Sequence, residues 1–371
     1  MILDEMTRPA PGRPLAKNLI VHRVLTLACA LTAVGVAGSA SSSTALRAQT
    51  QSTPLTTWTV TIVLPPRIVA GQLATLAVLG VDGRLASRVD VELGGGVHVA
   101  TDATGRGSFT APTSGDFLLA KGSGSSVAAL IDIAPPGGGA QSITVAPVVA
   151  IRDSFAVCGP GLSGDADANH VQINDQAVLV LAASPECLVV LPRPASAPSS
   201  ATISVQGPGA QWTAKTTLVA LEFDAPAPAL SPDKKSSLVV RVRGSDQRLG
   251  IVVENQTPGV LRFLRGDAQE LLTTGGAQNI AELKVQAIRS GDYSFHARLL
   301  PTPDAPTAAR YLQAAQITAP RELQDDMKRL AGRLAHHPRD FQEVRAELSR
   351  ILSNTIAGDF RTLAEAARDA L

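Results

Sequence analysis

Val89-Asp90-Val91-Glu92-Leu93 alternates apolar with charged side chains, and nine residues further on stands Asp102-Ala103-Thr104-Gly105, followed by Phe109. A period of two puts one set of side chains on each face of an extended strand. Asp first and Gly fourth suit a type I turn. The pattern repeats on both sides. Val60, Ile62 and Leu64 alternate, Leu73, Leu76 and Val78 make another run, Phe117 to Ala120 and Val127 to Ile133 follow, and Asp82-Gly83 fits a tight hairpin. Short strands about ten residues apart, with turn residues between them, predict a β-sandwich over residues 57–134.

The composition agrees. Of 371 residues, 45% are apolar and 18% charged, with 31 Gly and 25 Pro, too apolar for disorder and too rich in breakers for a helical bundle. This length suits two or three domains with buried cores. The net charge is +1 from 33 basic and 32 acidic side chains, so no field draws in nucleic acid or an anionic membrane. Two Trp, two Tyr and eight Phe leave few flat platforms for stacking sugars or bases.

Residues 1–48 read as a signal peptide. Arg8, Arg13, Lys17 and Arg23 precede the apolar run Val24 to Ala37, and small residues follow to Ala48. The run is too short to span a bilayer and of the right length for an h-region. Cleavage fits after Ala40 or after Ala48; a lipidated Cys29 and an uncleaved anchor are the other outcomes weighed. Cleavage removes Cys29 and leaves Cys158 and Cys187, an even pair in a chain bound for an oxidising compartment, so a Cys158–Cys187 disulfide is expected. Two unpaired buried thiols are the alternative.

Ala134-Pro135-Pro136-Gly137-Gly138-Gly139 is a linker by composition. Beyond it, Ser142 to Val149, Ser154 to Cys158, Val171 to Asn174, Ala177 to Leu181, Cys187 to Leu191 and Thr202 to Val205 predict a second sandwich over 141–222. Pro226, Pro228 and Pro232 mark another boundary. Leu238 to Arg243, Gly250 to Val253, Val260 to Leu264, Ile280 to Ile288 and Tyr293 to Leu299 predict a third sandwich over 230–301. From 305 to 371 the period becomes helical: Thr307 to Gln316, Glu322 to Ala335, Asp340 to Leu352 and Arg361 to Ala370, with Pro320, Pro338 and Gly358 as breaks. These helices form either a small bundle or a layer on the third sandwich. The fold class is mainly β: tandem Ig-like sandwiches with a C-terminal α-helical extension.

Two stretches resemble known families. Thr101, Asp102, Gly105 and Phe109 resemble bacterial Ig-like repeats of the invasin or carboxypeptidase-regulatory type, which implies spacing and adhesion. Pro147, the turn Gly159, Gly161 and Leu162, the strand Val171 and Ile173, and Leu188, Val190 and Pro192 resemble the IPT/TIG domain, an Ig-like fold of transcription factors and bacterial surface proteins. Pro160, and Leu162 in place of the usual Phe, depart from that pattern.

Sites of chemistry are scarce. Gly159-Pro160-Gly161-Leu162-Ser163-Gly164 spells a dinucleotide fingerprint, but strand and loop follow it where the motif needs a helix. Asp165, Asp167 and Asn169, with Asp175 close by, alternate like calcium ligands, yet His170 and Gln176 stand where an EF-hand needs Gly and Glu, which leaves a solvated acidic turn as the expectation and a loose β-loop calcium site as the alternative. His98, His170 and His296 lack metal spacing, and His336-His337 suits a helix C-terminus. Asp325-Asp326 reads as helix surface, Trp58 and Trp212 as core or junction, and Asn255-Gln256-Thr257 as a sequon in spelling only. The expectation is therefore an exported, non-catalytic binding, adhesion or spacing protein of the periplasm, cell surface or exterior. It would have no catalytic, cofactor or metal residues. Its partner would be another envelope or extracellular protein, with membrane contact only through the signal segment. A polysaccharide-binding accessory module is the alternative. An enzyme is a further one, which a pocket gathering Asp, Glu or His from Leu238 to Leu371 would support.

Overall fold

Alternation carries directly into strands. The computed structural model describes residues 60–133, 142–193, 196–209, 211–224, 232–233, 235–264, 266–356 and 358–371; the signal segment and Trp58 lie outside them. The first sandwich contains β1 (Thr61–Val63), β2 (Arg67–Val69), β3 (Leu73–Leu79), β4 (Asp90–Leu93), β5 (Val97–Ala100), β6 (Arg106–Thr110), β7 (Phe117–Gly122) and β8 (Ser125–Asp132). One layer runs β1-β3-β6 and the other β2-β8-β7-β4-β5. Ile62, Leu76, Val78, Val91, Leu93, Phe109, Leu118 and Ile131 fill the space between them. Phe109 points inward as expected. The Asp102 turn closes with Gly105 N–H donating to Asp102 O at 3.1 Å. Gly105 sits at φ +76, where a Cβ would lie 2.7 Å from Leu85 Cβ, so both the backbone conformation and the space call for glycine.

The second sandwich contains β9 (Thr144–Val145), β10 (Val148–Ala150), β11 (Phe155–Cys158), β12 (His170–Ile173), β13 (Gln176–Ala177), β14 (Leu179–Ala183), β15 (Cys187–Leu191), β16 (Ser199–Gln206) and β17 (Gln211–Asp224). Its layers are β14-β15-β11-β9 and β13-β12-β16-β17. In both sandwiches the opening strand is split between layers. β1 and β9 pair antiparallel in one sheet, while β2 and β10 run parallel to the last strand, β8 or β17, in the other. The rest follows the strand order of an Ig-like sandwich. Val157, Leu162, Val171, Ile173, Leu188, Val190, Ile203 and Leu218 form the core, so the inward positions read from the sequence are the ones buried.

Three joints hold the sandwiches together. A single bridge, Thr75 to Ala183, connects β3 to β14 and makes one sheet of two. β17 is 14 residues long; its first part pairs with β16 and its second part, Ala220 to Asp224, with β18 (Lys235–Arg243) of the third sandwich. The third sandwich adds β19 (Gly250–Asn255), β20 (Leu261–Phe263), β21 (Ala268–Leu272), β22 (Ile280–Ala287) and β23 (Phe295–Leu299). Here the sheet continues from β17 through β18 and β22 to β20, and faces β21-β19-β23 across Leu238, Val240, Ile251, Val253, Leu283 and Val285. Sequence reading ends the second sandwich's strands at Val205 and overlooks β17 and β21. The first half of β17, Gln211 to Thr217, lacks a run of Val, Ile or Leu.

The third joint decides between the two arrangements expected of the helices. α1 (Ala305–Thr318), α2 (Arg321–His336), α3 (Phe341–Leu352) and α4 (Asp359–Asp369) fall where their periodicity places them, and they pack on one another as a small bundle that sits on the first sandwich and not mainly on the third. Ala308, Leu312, Ala315, Met327, Leu348 and Leu363 share one core with Phe117, Leu119, Ala128 and Leu130 on the outer faces of β7 and β8. Phe117-Leu118-Leu119-Ala120 is apolar at consecutive positions because both faces of β7 are covered, one by the sandwich and one by helices. Polar contacts fix the orientation: Arg310 to Asp132 at 2.5 Å and Ser126 to Thr362 at 2.8 Å. The third sandwich receives Arg345 of α3, 8% exposed, whose guanidinium donates to Glu270 at 2.7 Å.

Leu218 is 1% exposed in the shared strand. Leu218→Ala is expected to cost about 2–5 kcal/mol. Hydrogen exchange should show protection lost in the second and third sandwiches together; two separate unfolding transitions would contradict a common strand.

Candidate functional site

Between the second and third sandwiches lies an open cleft of about 270 Å³. The β10–β11 turn, the second half of β17 and the start of β23 form its walls, bringing Arg152, Asp153, Glu222, Phe223, Phe295 and His296 together. Apolar residues beneath it, Ala150, Val219 and Val242 with Leu221 and Leu299, seal the junction. Phe295 is held from several sides. Its ring centroid is 6.0 Å from Phe223, 5.7 Å from Phe263 and 5.5 Å from Tyr293, so its position is set by packing and not by a ligand.

The charges in and around the cleft are largely matched. His296 Nε2 is 3.6 Å from Asp153 Oδ1, Arg298 donates to Glu254 at 3.2 Å, and Arg243 donates to Glu222 at 2.5 Å. Burial raises Asp153 above the ordinary carboxylate range; His296 and Arg298 oppose that shift, and Glu254 adds to it. Arg152 makes no ion pair among the described residues, which leaves an uncommitted guanidinium at the mouth of an apolar-walled slot. The residues lining the slot include an acid and an imidazole but no Ser, Thr, Cys or Tyr hydroxyl or thiol. Such an arrangement can seat an apolar side chain and pair with a carboxylate beside it. His296 does come from the Leu238 to Leu371 span, but Asp153 and Glu222 lie outside it.

Sequence inspection treats His296 as solitary and passes over Asp153, because the two are 143 positions apart in the chain. The other singled-out residues have structural roles. Cys158 and Cys187 form the expected disulfide, joining directly paired positions of β11 and β15 within one sheet. Asn169, 4% exposed, accepts from Ser163 N and donates to Ser163 O and Asp165 O, so its amide is spent on its own loop. Asp165 accepts from Asp167 N, and Asp167 pairs with Arg106 of the first sandwich at 2.5 Å. The glycines of the fingerprint-like stretch serve close packing. A Cβ on Gly164 would come within 1.7 Å of Leu73 O, and Thr75 donates its hydroxyl to Gly164 O at 2.6 Å.

Trp212 packs on the second core and donates its indole N–H to Pro160 O at 2.9 Å. Asn255, 6% exposed, donates to Leu261 O, which withdraws the sequon from solvent. His98 pairs with Asp90 at 2.8 Å, Asp326 pairs with Arg329 at 3.0 Å, and α2 ends at His336. Among the described residues no group of three or more His, Cys, Asp or Glu is placed to hold a metal, and no helix is long and apolar enough to cross a membrane.

No protein-family model and no curated protein matches the chain. It is similar to the extracellular region of plexin A4 over 64% of this chain and 23% of that one, at 12% identity and a TM-score of 0.24. It is also similar to the N-terminal four Ig domains of Dscam1 over 63% and 73%, at 10% identity and 0.21. A stretch of titin domains matches over 63% and 89%, at 13% identity and 0.18. The chain thus spans under a quarter of the plexin region. Overlays this loose carry no argument, and the Ig-like character rests on the split opening strands and the strand order.

A folded-state carboxyl raised by burial holds its proton more tightly than in the unfolded chain. For Asp153 stability is therefore fully retained below the ordinary value of 3.8 and declines as pH rises through the raised one. Asp153→Asn should remove this decline. Thermal melts from about pH 3 to 7 should show wild type losing ground to the variant as pH rises, and parallel curves would contradict the assignment.

Proposed function

We propose that this is an exported bacterial protein that works without catalysis, using tandem Ig-like sandwiches to bind, adhere to or space other proteins of the envelope or exterior. The observation that carries the reading is β17: one strand built into two sandwiches fixes their mutual angle, as a presenting scaffold requires. The divisions 57–134, 141–222, 230–301 and 305–371 are retained as its domains. The first is taken as invasin-like and the second as IPT/TIG-like, supported by the inward Phe109, by Leu162 in the core and by buried Val171, Ile173, Leu188 and Val190. The signal segment and the disulfide together support export to an oxidising compartment.

Recognition is assigned to the cleft, where Arg152 would meet a carboxylate and Phe223 and Phe295 an apolar side chain of a protein partner. Phe223 and Phe295 are half-buried and tilted against each other, so the cleft lacks the flat, open ring face that the polysaccharide alternative needs.

Fractionation of the native host should place the chain in the periplasm or medium, beginning at Ser41 or Gln49, with Cys158 and Cys187 unreactive to alkylation before reduction. A full-length cytoplasmic chain with free thiols would overturn export. Crosslinking from position 152 should capture a protein and Arg152→Glu should lose it, whereas retention on insoluble glycan would transfer the function to polysaccharide.

A further inference from the structure

Among the described residues, the third sandwich lacks a strand that the first two possess. In the first, the last strand, β8, lies between β7, to which it is antiparallel, and β2, to which it is parallel; in the second, β17 lies in the same way between β16 and β10. β7 and β16 each join that last strand to the strand that opens the second layer, β4 or β12. The equivalent of β4 and β12 in the third sandwich is β19, and the strand beside it is β23. There the sheet ends. After β23 the chain passes Pro301 and enters α1, so no further strand of its own returns to lie beside β23.

Main-chain groups on both sides of the cleft point into the place that strand would fill. Along a strand, alternate residues turn their N–H and C=O to the same neighbour. Gln256 N–H donates to Ser294 O, and Leu300 N–H donates to Gly250 O, so the even-numbered residues of β23 face β19 while Phe295, Ala297 and Leu299 face outward. Across the cleft, Thr217 N–H donates to Pro147 O, and Val219 O accepts from Ile151 N–H. Leu221 and Phe223 turn the same way, beyond the end of β10 at Ala150. Leu299 packs into the apolar cluster of Val148, Ala150 and Val219, which covers that end of the edge. The edge is therefore open at Phe295 and Ala297, where both residues line the cleft of about 270 Å³.

We propose that the cleft takes an extended segment of a partner protein as an added strand, hydrogen-bonded antiparallel to β23 at Phe295 and Ala297 in the place that β8 holds beside β7. The inference rests on the reading of the cleft as the recognition site and specifies how that site is used. Charge selects the segment. Arg243 and Arg298 are paired with Glu222 and Glu254, whereas Arg152 makes no ion pair among the described residues, so the segment carries a carboxylate at the mouth of the cleft. Strand alternation turns every second side chain towards Phe223 and Phe295, so the residues flanking the acid are apolar.

The test uses the mature chain with its disulfide intact and a synthetic peptide that alternates Val with Thr and carries one central Asp. Amide exchange at Phe295 and Ala297 is followed with and without it. A peptide bound with a Kd of about 0.1 mM and supplied at about 1 mM should slow exchange at both about tenfold. The same peptide with its backbone nitrogens methylated should leave exchange unchanged, and Arg152→Glu should weaken the unmodified peptide about tenfold. Ala297→Pro removes an outward N–H and none that β19 uses, so it should abolish the protection of Phe295; should that variant fail to fold, the methylated peptide removes the same bonds from the other side. Exchange equally fast with and without peptide, or equally slowed by the methylated one, overturns the added strand. If crosslinking from position 152 still captures a protein, recognition at the cleft stands and only this mode of binding is lost. Protection that grows with the concentration of the protein alone assigns the edge to a second copy and likewise overturns the proposal.

Discussion

Backbone pairing that ignores sandwich boundaries is the constraint on which the rest of the molecule depends. An Ig-like sandwich ends in edge strands whose unpaired amides and carbonyls must be satisfied or covered. Here neighbouring sandwiches meet part of that need for each other. β17 gives its first half to β16 and its second half to β18, and Thr75 and Ala183 bridge the first two sandwiches. With the sheets continuous, the junctions take on geometry that a proline-rich tether could not supply, and the cleft at Asp153 and His296 exists because that angle is held.

The charged residues follow from this. Most ion pairs lie at solvent-exposed positions, where they contribute little. Those at the joints connect separate elements: Arg106 with Asp167, Arg310 with Asp132, and Arg345 with Glu270. Apolar area does most of the holding, through Leu119 and Leu130 under the helices and Val219 and Val242 between the second and third sandwiches. The polar groups select which face meets which.

Much of this was legible in the sequence, for local reasons. Alternation located the inward sets Val91 and Leu93, Val171 and Ile173, and Leu238 and Val240, because strand periodicity is a property of a few consecutive residues. The helices announced themselves by period and prolines, and the disulfide by even count. What stayed hidden depends on distant pairing. The docking of α1 and α4 on β7 was encoded only in the doubly apolar run Phe117 to Ala120, and nothing local names the helices as its cover. Asp153 and His296 meet across sheets and hold no spacing that a motif could capture. β17 was overlooked because its first half carries Thr where a buried strand would carry Val.

One consequence concerns how such a chain could be rearranged in evolution. Units strung like beads can be duplicated, deleted or transplanted at their linkers, each excision leaving whole neighbours. A cut between the second and third units here must divide β17, leaving one fragment short of its final strand and the other short of its opening one. The two therefore form a single heritable block, free to vary at their loops and closed to recombination at their seam.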